Sequence, residues 1–158
     1  MKKLILAALC AATSTVALAA DPEVPYPEGY RDWHHVKSMV IEEGHPLYGS
    51  FGGIHHLYAN DQAMQGYRQG TFPDGSVIVF DLLEAVNDGN AVTEGDRKVV
   101  GVMHKDAEQY ESTGGWGFEG FGGGDRSNRV VGENAASACF ACHTPQKAQD
   151  YTFSTLRD

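Results

Sequence analysis

The chain has 158 residues, 42% of them hydrophobic, and its 12 lysines and arginines against 21 aspartates and glutamates give a formal net charge of −9. This length suits one globular domain with a sizeable core. The acidic balance disfavours binding to nucleic acid or to anionic lipid, and beyond the N-terminal residues no apolar stretch is long enough to span a membrane.

The N-terminus has the pattern of a secretory signal peptide. Two lysines precede an apolar run over residues 4–12, and an Ala-Leu-Ala cleavage pattern ends at Ala19. We therefore expect residues 1–19 to be removed and residues 20–158 to form a single domain in the periplasm. Cys10 leaves with the signal peptide, so the mature chain keeps two cysteines.

The first half of the mature chain alternates between turn signals and short periodic stretches. Residues 54–59 alternate in polarity, which puts His55 and His56 on opposite faces of a strand. Asn60 is a helix-capping residue type, and Gly70 follows the last helical position. We predict an extended arm over 20–29, strands over 36–41 and 54–59, a loop over 44–53 that carries Phe51, and a helix over 61–69.

The second half contains the strongest strand signal. Residues 76–83 include an apolar Val-Ile-Val-Phe run that ends at Phe80, which is typical of a central, buried strand. Seven glycines are interleaved with aromatic residues over 114–124, which predicts a strand that another backbone or a flat ligand approaches closely. We also predict a hairpin loop over 87–96, a strand over 98–104, a helical turn over 106–111, a loop over 125–133 and a helix capped by Asn134.

These elements predict an α+β fold, a mainly antiparallel β-sheet with short helices, as a single domain that ends in a helical segment. That segment carries the motif Cys139-x-x-Cys142-His143, which is typical of covalent haem c attachment. Two thiols at this separation can each form a thioether with one vinyl group of a single haem, and the adjacent imidazole becomes the axial ligand. We therefore predict one haem c attached through Cys139 and Cys142, with His143 as the metal ligand.

Two other interpretations of the cysteine pair are weaker. A redox dithiol of thioredoxin type belongs at a strand-to-helix junction of a βαβ unit, and no such unit precedes Cys139. A zinc site needs further ligands, but the mature chain has no other cysteine and no histidine after His143.

The chain resembles the cytochrome P-460 superfamily along nearly all of its mature length. Besides the haem motif close to the C-terminus, the matching stretches are Tyr30-Arg31-Asp32-Trp33, Gly70-x-Phe72 with the Val-Ile-Val-Phe strand that follows it, and Gly115-Trp116-Gly117-Phe118. The resemblance implies a mostly antiparallel β fold, one c-type haem and a homodimer.

One departure from the superfamily pattern concerns Phe80. In the hydroxylamine-oxidising members a lysine at this position is cross-linked to the porphyrin, and a phenyl ring has no nitrogen for such a bond. The chain therefore resembles the other branch, the cytochromes c′-β, whose distal pocket is capped by phenylalanine. This resemblance assigns Phe80 and Phe51 to the distal pocket, opposite His143.

The expected function follows from those two caps. Neither phenyl ring can bind iron, so the haem would be five-coordinate through His143 and open to diatomic gases. A wall without hydrogen-bond donors favours NO and CO over O₂, and it also lacks an acid–base group for catalysis. We therefore expect a protein that sequesters or carries NO with little turnover, in contact with a gaseous ligand and a redox partner but not with nucleic acid or membrane.

Two rival functions stay open at this point. A six-coordinate electron-transfer cytochrome would need a second axial ligand, for which the candidates are Met39, Met64, Met103 and the pairs His34-His35 and His55-His56. By default we expect the methionines in the core and one histidine of each pair in solvent. A cross-linked chromophore would instead indicate a hydroxylamine or NO oxidoreductase. The sequence assigns no role to Arg126 or Arg129.

Overall fold

The computed structural model describes residues 23–157, so the predicted signal peptide, residues 1–19, lies outside the described residues. Its centre is a five-stranded antiparallel sheet in which the strands follow one another in chain order. The strands are β1 (His34–Ile41), β2 (Gly53–Ala59), β3 (Val77–Asp88), β4 (Ala91–Lys105) and β5 (Trp116–Gly122). The predicted α+β class and the single domain are confirmed.

The helices are short and connect or flank the strands. They comprise α1 (Tyr48–Phe51), α2 (Asp61–Gln69) and the 3₁₀ turns Tyr30–Asp32, Glu111–Thr113 and Gly132–Asn134. The C-terminal segment, residues 136–149, is a π-helical turn Ala136–Phe140, an α-helical turn Ala141–His143 and a 3₁₀ helix Thr144–Gln149. Within residues 23–157, no helix has the length and apolar character needed to cross a bilayer.

Helix α2 has the predicted bounds because both of its ends are set by local hydrogen bonds. The side chain of Asn60 accepts a hydrogen bond from the backbone N–H of Ala63 at 2.9 Å. Gly70 ends the helix with φ = 79°, a left-handed conformation that glycine adopts without a steric cost. The predicted cap at Asn134 is wrong, since no side chain caps the start of the C-terminal segment.

The hairpin loop predicted over 87–96 is also wrong, because β3 and β4 continue through it. Their pairing runs out to Asp88 and Ala91 and leaves Gly89 and Asn90 as the turn. Both turn residues have positive φ, 57° and 64°, as a two-residue hairpin turn requires. This outer hairpin is mostly exposed, which explains why its sequence is polar although its backbone is extended.

The sheet separates two cores. On one face, the N-terminal arm packs on a core that contains Val24, Tyr30, Val79, Val100, Val102, Tyr110 and Phe121. The other face, which we call the helical face, carries α2 and the C-terminal segment over a core of Val36, Ala59, Ala63, Phe72, Ile78, Trp116 and Phe118. The C-terminal segment, which carries Cys139, Cys142 and His143, therefore lies on the helical face.

Strand register places Phe80 on the helical face. Ile78 belongs to the core on that face, and residues two positions apart on a strand point to the same side. Phe80 pairs with Leu57 on one side and with Gly101 on the other. The neighbouring row contains Ile78 and Phe118, so Phe80 lies one row, about 7 Å, further along the sheet than Phe118.

On the sheet face that is opposite to the helical face, a buried ionic network connects the N-terminal arm to the sheet. Asp81 is 2% exposed, accepts a hydrogen bond from the Tyr30 hydroxyl at 2.7 Å, and accepts two from the Arg97 guanidinium at 2.6 and 3.2 Å. Burial raises the pKa of Tyr30 to about 12. The hydroxyl is therefore a permanent donor to the Asp81 carboxylate.

Candidate functional site

The two cysteines of the motif lie on the C-terminal segment as free thiols. Cys139 is half-buried and packs against the core of the helical face, whereas Cys142 is exposed. Burial, with a smaller contribution from Glu119, raises the pKa of Cys139 to about 11. A redox dithiol of thioredoxin type depends on a lowered thiol pKa, so this environment argues against that interpretation.

The imidazole of His143 is oriented by a backbone carbonyl. Its Nδ1 lies 2.7 Å from the carbonyl oxygen of Tyr151. A carbonyl oxygen can only accept, so Nδ1 carries the proton and the lone pair of Nε2 is left for a metal. Burial lowers the pKa of His143 against the opposing effect of this hydrogen bond, which favours the neutral ring that binds metals.

Aromatic rings flank His143 on two sides. The centroid of Phe118 lies 5.0 Å away and that of Phe153 4.9 Å away. Phe118 is a buried residue of the helical face, while Phe153 is 60% exposed. The imidazole therefore lies between the sheet and the surface of the protein. In the sequence it follows Cys142 directly and Cys139 by four positions.

This donor set fits a covalently attached haem. Two unpaired thiols lie three residues apart on one helical stretch, and the next residue is a neutral imidazole with one free nitrogen. Cys139, Cys142 and His143 are therefore the residues that would hold haem c.

The two phenylalanines predicted to cap the distal pocket are in contact with each other. Phe51 at the end of α1 and Phe80 on β3 have ring centroids 5.8 Å apart and planes at 84°. Phe80 is half-buried and Phe51 is 40% exposed. Because Phe80 shares the helical face with Phe118, this aromatic pair and His143 lie on the same side of the sheet.

The segment that carries Phe51, predicted as a loop over 44–53 but containing α1, is fastened to the sheet by Lys98. Its ammonium group donates a hydrogen bond to the carbonyl oxygen of Gly52 at 2.7 Å. The register of β3 and β4 shifts between Leu82 and Leu83, next to this contact. Lys98 thus helps to position Phe51 over Phe80.

His55 lies next to Phe80; the sequence interpretation placed it on the strand face opposite His56 but did not assign it to the expected distal pocket. It is only 4% exposed, and its ring lies 4.5 Å from that of Phe80 with 35° between the planes. Its Nδ1 is buried without a hydrogen-bond partner. Burial, with a smaller contribution from His56, lowers the pKa of His55 to about 4. Its alternation with His56 was the available signal, since only one of the two can point into the pocket.

The rival axial ligands have other contacts. Met64 and Met103 pack against the core of the helical face, as expected, while Met39 is 50% exposed on the edge strand. The remaining histidines of the two pairs contact polar side chains, namely His34 with Asp61, His35 with Ser38, and His56 with Ser38 and Glu94.

The two arginines before the C-terminal segment form ion pairs. Arg126 lies 2.6 Å from Glu28 on the surface. Arg129 lies 3.1 Å from the buried carboxylate of Glu119 and donates to the carbonyl of Val24 at 2.9 Å. Both arginines therefore join the C-terminal half of the chain to the N-terminal arm rather than to the Phe51–Phe80 pair.

The glycines of β5 accommodate side chains of neighbouring segments. A Cβ atom on Gly120 would lie 2.8 Å from a methyl group of Val130, and one on Gly122 would lie 2.5 Å from the amide of Asn128. The sequence predicted that another segment approaches this strand closely, and the segment that does so is residues 128–131.

Comparison with known proteins gives one family. The sequence model of the family described as Cytochrome P460 matches residues 27–154, which is more than half of the chain. No curated protein matches the chain.

Proposed function

The chain belongs to the cytochrome P460 family, a family that binds haem, and from that premise we propose that it is a c-type haem protein that binds NO or CO. In this proposal Cys139 and Cys142 would hold haem c through two thioether bonds, and the Nε2 atom of His143 would bind its iron. The free thiols and the hydrogen bond from Nδ1 to Tyr151 support these assignments.

The observation that carries the proposal is the contact between Phe51 and Phe80 on the same side of the sheet as His143. A haem iron held by a single imidazole binds small gaseous ligands at its opposite face. Neither phenyl ring can coordinate a metal or donate a hydrogen bond. The two phenyl rings would therefore exclude water and, because they donate no hydrogen bond, would give bound O₂ no advantage over NO and CO on their side of the iron.

The chemistry of His55 supports gas binding over catalysis. With its pKa lowered to about 4, the ring is neutral near pH 7 and is a weak base. Acid–base catalysis is most effective when the pKa of the group lies near the working pH. His55 is therefore a weak base that carries no charge near pH 7, and we propose NO sequestration or transport with little turnover.

The proposal includes the setting of the protein. The N-terminal pattern of residues 1–19 supports export to the periplasm, where haem c is attached. The resemblance to the cytochromes c′-β supports a homodimer. The net charge of −9 disfavours nucleic acid and anionic lipid as partners and leaves a gaseous ligand and a redox partner.

An absorption spectrum of the reduced protein before and after addition of NO or CO tests the function. We expect a five-coordinate, high-spin ferrous spectrum that changes on addition of either gas. A low-spin spectrum that neither gas changes would indicate a second protein ligand and an electron-transfer cytochrome. A red-shifted chromophore with hydroxylamine-dependent dye reduction would indicate the lysine-cross-linked type of oxidoreductase.

A further inference from the structure

We propose that Lys105 and Asp150 are positioning residues for the axial ligand: their ion pair holds the turn whose carbonyl accepts the hydrogen bond of His143. This inference rests on the proposed binding of haem iron by His143. In this inference the ion pair controls how strongly the His143 imidazole donates electrons to the iron. It therefore also controls the reduction potential of the protein.

The turn in question has an uncommon backbone. Asp150 and Tyr151 follow the C-terminal segment with φ values of 49° and 63°. Left-handed conformations are unusual for residues other than glycine, and two in succession persist only when surrounding contacts hold them. The carbonyl that orients His143 belongs to the second of these residues.

The contacts that hold the turn come from the sheet. The ammonium group of Lys105 lies 2.8 Å from the Asp150 carboxylate, and the two side chains are only 11% and 12% exposed. The other oxygen of that carboxylate accepts the backbone N–H of Phe72 at 2.8 Å. The backbone carbonyl of Asp150 accepts the indole N–H of Trp116 at 2.9 Å. Lys105 and Trp116 are themselves paired across β4 and β5, so the turn is fastened to a rigid part of the fold.

Tyr151 is held on both sides as well. Its backbone N–H donates to the carbonyl of Gln146 at 2.9 Å. Its ring lies 5.1 Å from that of Phe140, and a Cβ atom on Gly114 would approach the tyrosine ring to 2.5 Å. The direction of the Tyr151 carbonyl is set by the left-handed backbone of Tyr151, and the peptide plane from which that backbone starts contains the Asp150 carbonyl that Trp116 holds.

The chemical consequence concerns the basicity of His143. A hydrogen bond from Nδ1 to a well-placed acceptor increases the electron density at Nε2 and strengthens its bond to a metal. A more strongly donating axial ligand stabilises the oxidised iron and lowers the reduction potential. Loosening the turn should therefore weaken the axial bond and raise the potential.

The experiment compares holoprotein variants by resonance Raman spectroscopy and redox titration. Asp150→Asn is the sharpest change, because asparagine tolerates the left-handed conformation and still accepts from Phe72, so mainly the ion pair is lost. We expect a lower iron–histidine stretching frequency and a higher reduction potential than in wild type. Lys105→Met should produce the same two shifts. Lys105→Arg keeps the positive charge, so its frequency and potential should be close to those of wild type.

Arg126→Met is the control, since it removes the cation of another ion pair, the exposed one with Glu28, which contacts neither His143 nor the Phe51–Phe80 pair. It should leave the iron–histidine frequency unchanged. If Asp150→Asn and Lys105→Met both have the iron–histidine frequency and the reduction potential of wild type, the inference is overturned. If one of these variants does not fold, as judged by circular dichroism, the other decides.

Failure of this inference can be told apart from failure of the proposed function. If the wild-type spectrum shows a six-coordinate haem that binds no gas, gas binding fails, but the potential of the variants still tests the ion pair. If gas binds normally and the variants have the wild-type frequency and potential, only the role of Lys105 and Asp150 fails.

Discussion

The imidazole of His55 lies against the phenyl ring of Phe80, with 4.5 Å between ring centroids, on the face of the sheet that also carries the C-terminal segment. Phe80 therefore has an aromatic neighbour on each side, Phe51 and His55. The proposed distal pocket, which the sequence predicts to be purely apolar, would therefore have a buried imidazole beside Phe80. Variants of Phe80 and of His55 separate the contributions of the two rings.

Replacement of Phe80 by alanine should open the pocket. We expect gas association with the reduced protein to become roughly tenfold faster, which corresponds to about 1.4 kcal/mol of barrier. The same change should lower the free energy of unfolding by about 2 kcal/mol, less than for a fully buried phenylalanine. Flash photolysis of the CO complex and urea denaturation measure the two effects. Val86→Ala, at an exposed position of the same strand, should change neither. Unchanged association rates in Phe80→Ala would mean that Phe80 is not a cap.

His55 should make the protein less stable in mild acid. Its pKa is about 4 in the folded protein against an ordinary value of 6.5, so the unfolded chain takes up a proton first. The free energy of unfolding is therefore not reduced by the titration of His55 above pH 6.5. It decreases by about 3 kcal/mol as the pH falls towards 4. His55→Leu should lose this part of the pH dependence in urea denaturation, while the exposed His34→Leu should keep it. Parallel pH profiles for wild type and His55→Leu would contradict the burial of a neutral His55.

The Asp81 network should contribute to stability far more than an exposed ion pair. Asp81→Ala leaves the Tyr30 hydroxyl and the Arg97 guanidinium without their acceptor, and we expect a loss of about 3 kcal/mol in the free energy of unfolding. Glu28→Ala removes a pair with Arg126 whose side chains are 60% and 68% exposed, and should cost about 0.5 kcal/mol or less. Equal losses in the two variants, measured by urea denaturation, would argue against a stabilising role of the buried network.

The attachment of haem through both cysteines is directly testable by mass spectrometry. The mature protein, produced in cells that attach haem c, should carry the mass of one haem that persists after denaturation. Cys142→Ala and Cys139→Ala should each retain at most one thioether, and the double variant should release all haem on denaturation. A double variant that still holds haem covalently would place the attachment elsewhere in the chain.

Local signals were sufficient for several parts of this protein. The bounds of α2 could be predicted because Asn60 and Gly70 lie next to the helix they delimit. The haem motif was recognisable because its three functional side chains are within five residues of one another. Strand alternation likewise predicted that His55 and His56 occupy opposite faces. In β2, His55 contacts Phe80 and His56 contacts Glu94 on the other face.

Other features depend on partners that are distant in the chain. The outer hairpin of β3 and β4 is extended although its residues are polar, because cross-strand hydrogen bonds form between the two strands. The contact of Phe51 with Phe80 needs the loop anchored by Lys98, and the orientation of His143 needs the turn held by Lys105.

The sequence by itself thus determined the fold class, the elements with local caps and the presence of a Cys-x-x-Cys-His motif, because those signals are confined to a few adjacent residues. Only the tertiary structure decided what surrounds His143 and Phe80. Hydrogen bonds and ring contacts between residues far apart in the chain are formed by strand register and by the packing of the C-terminal segment, and neither can be read from residue order alone.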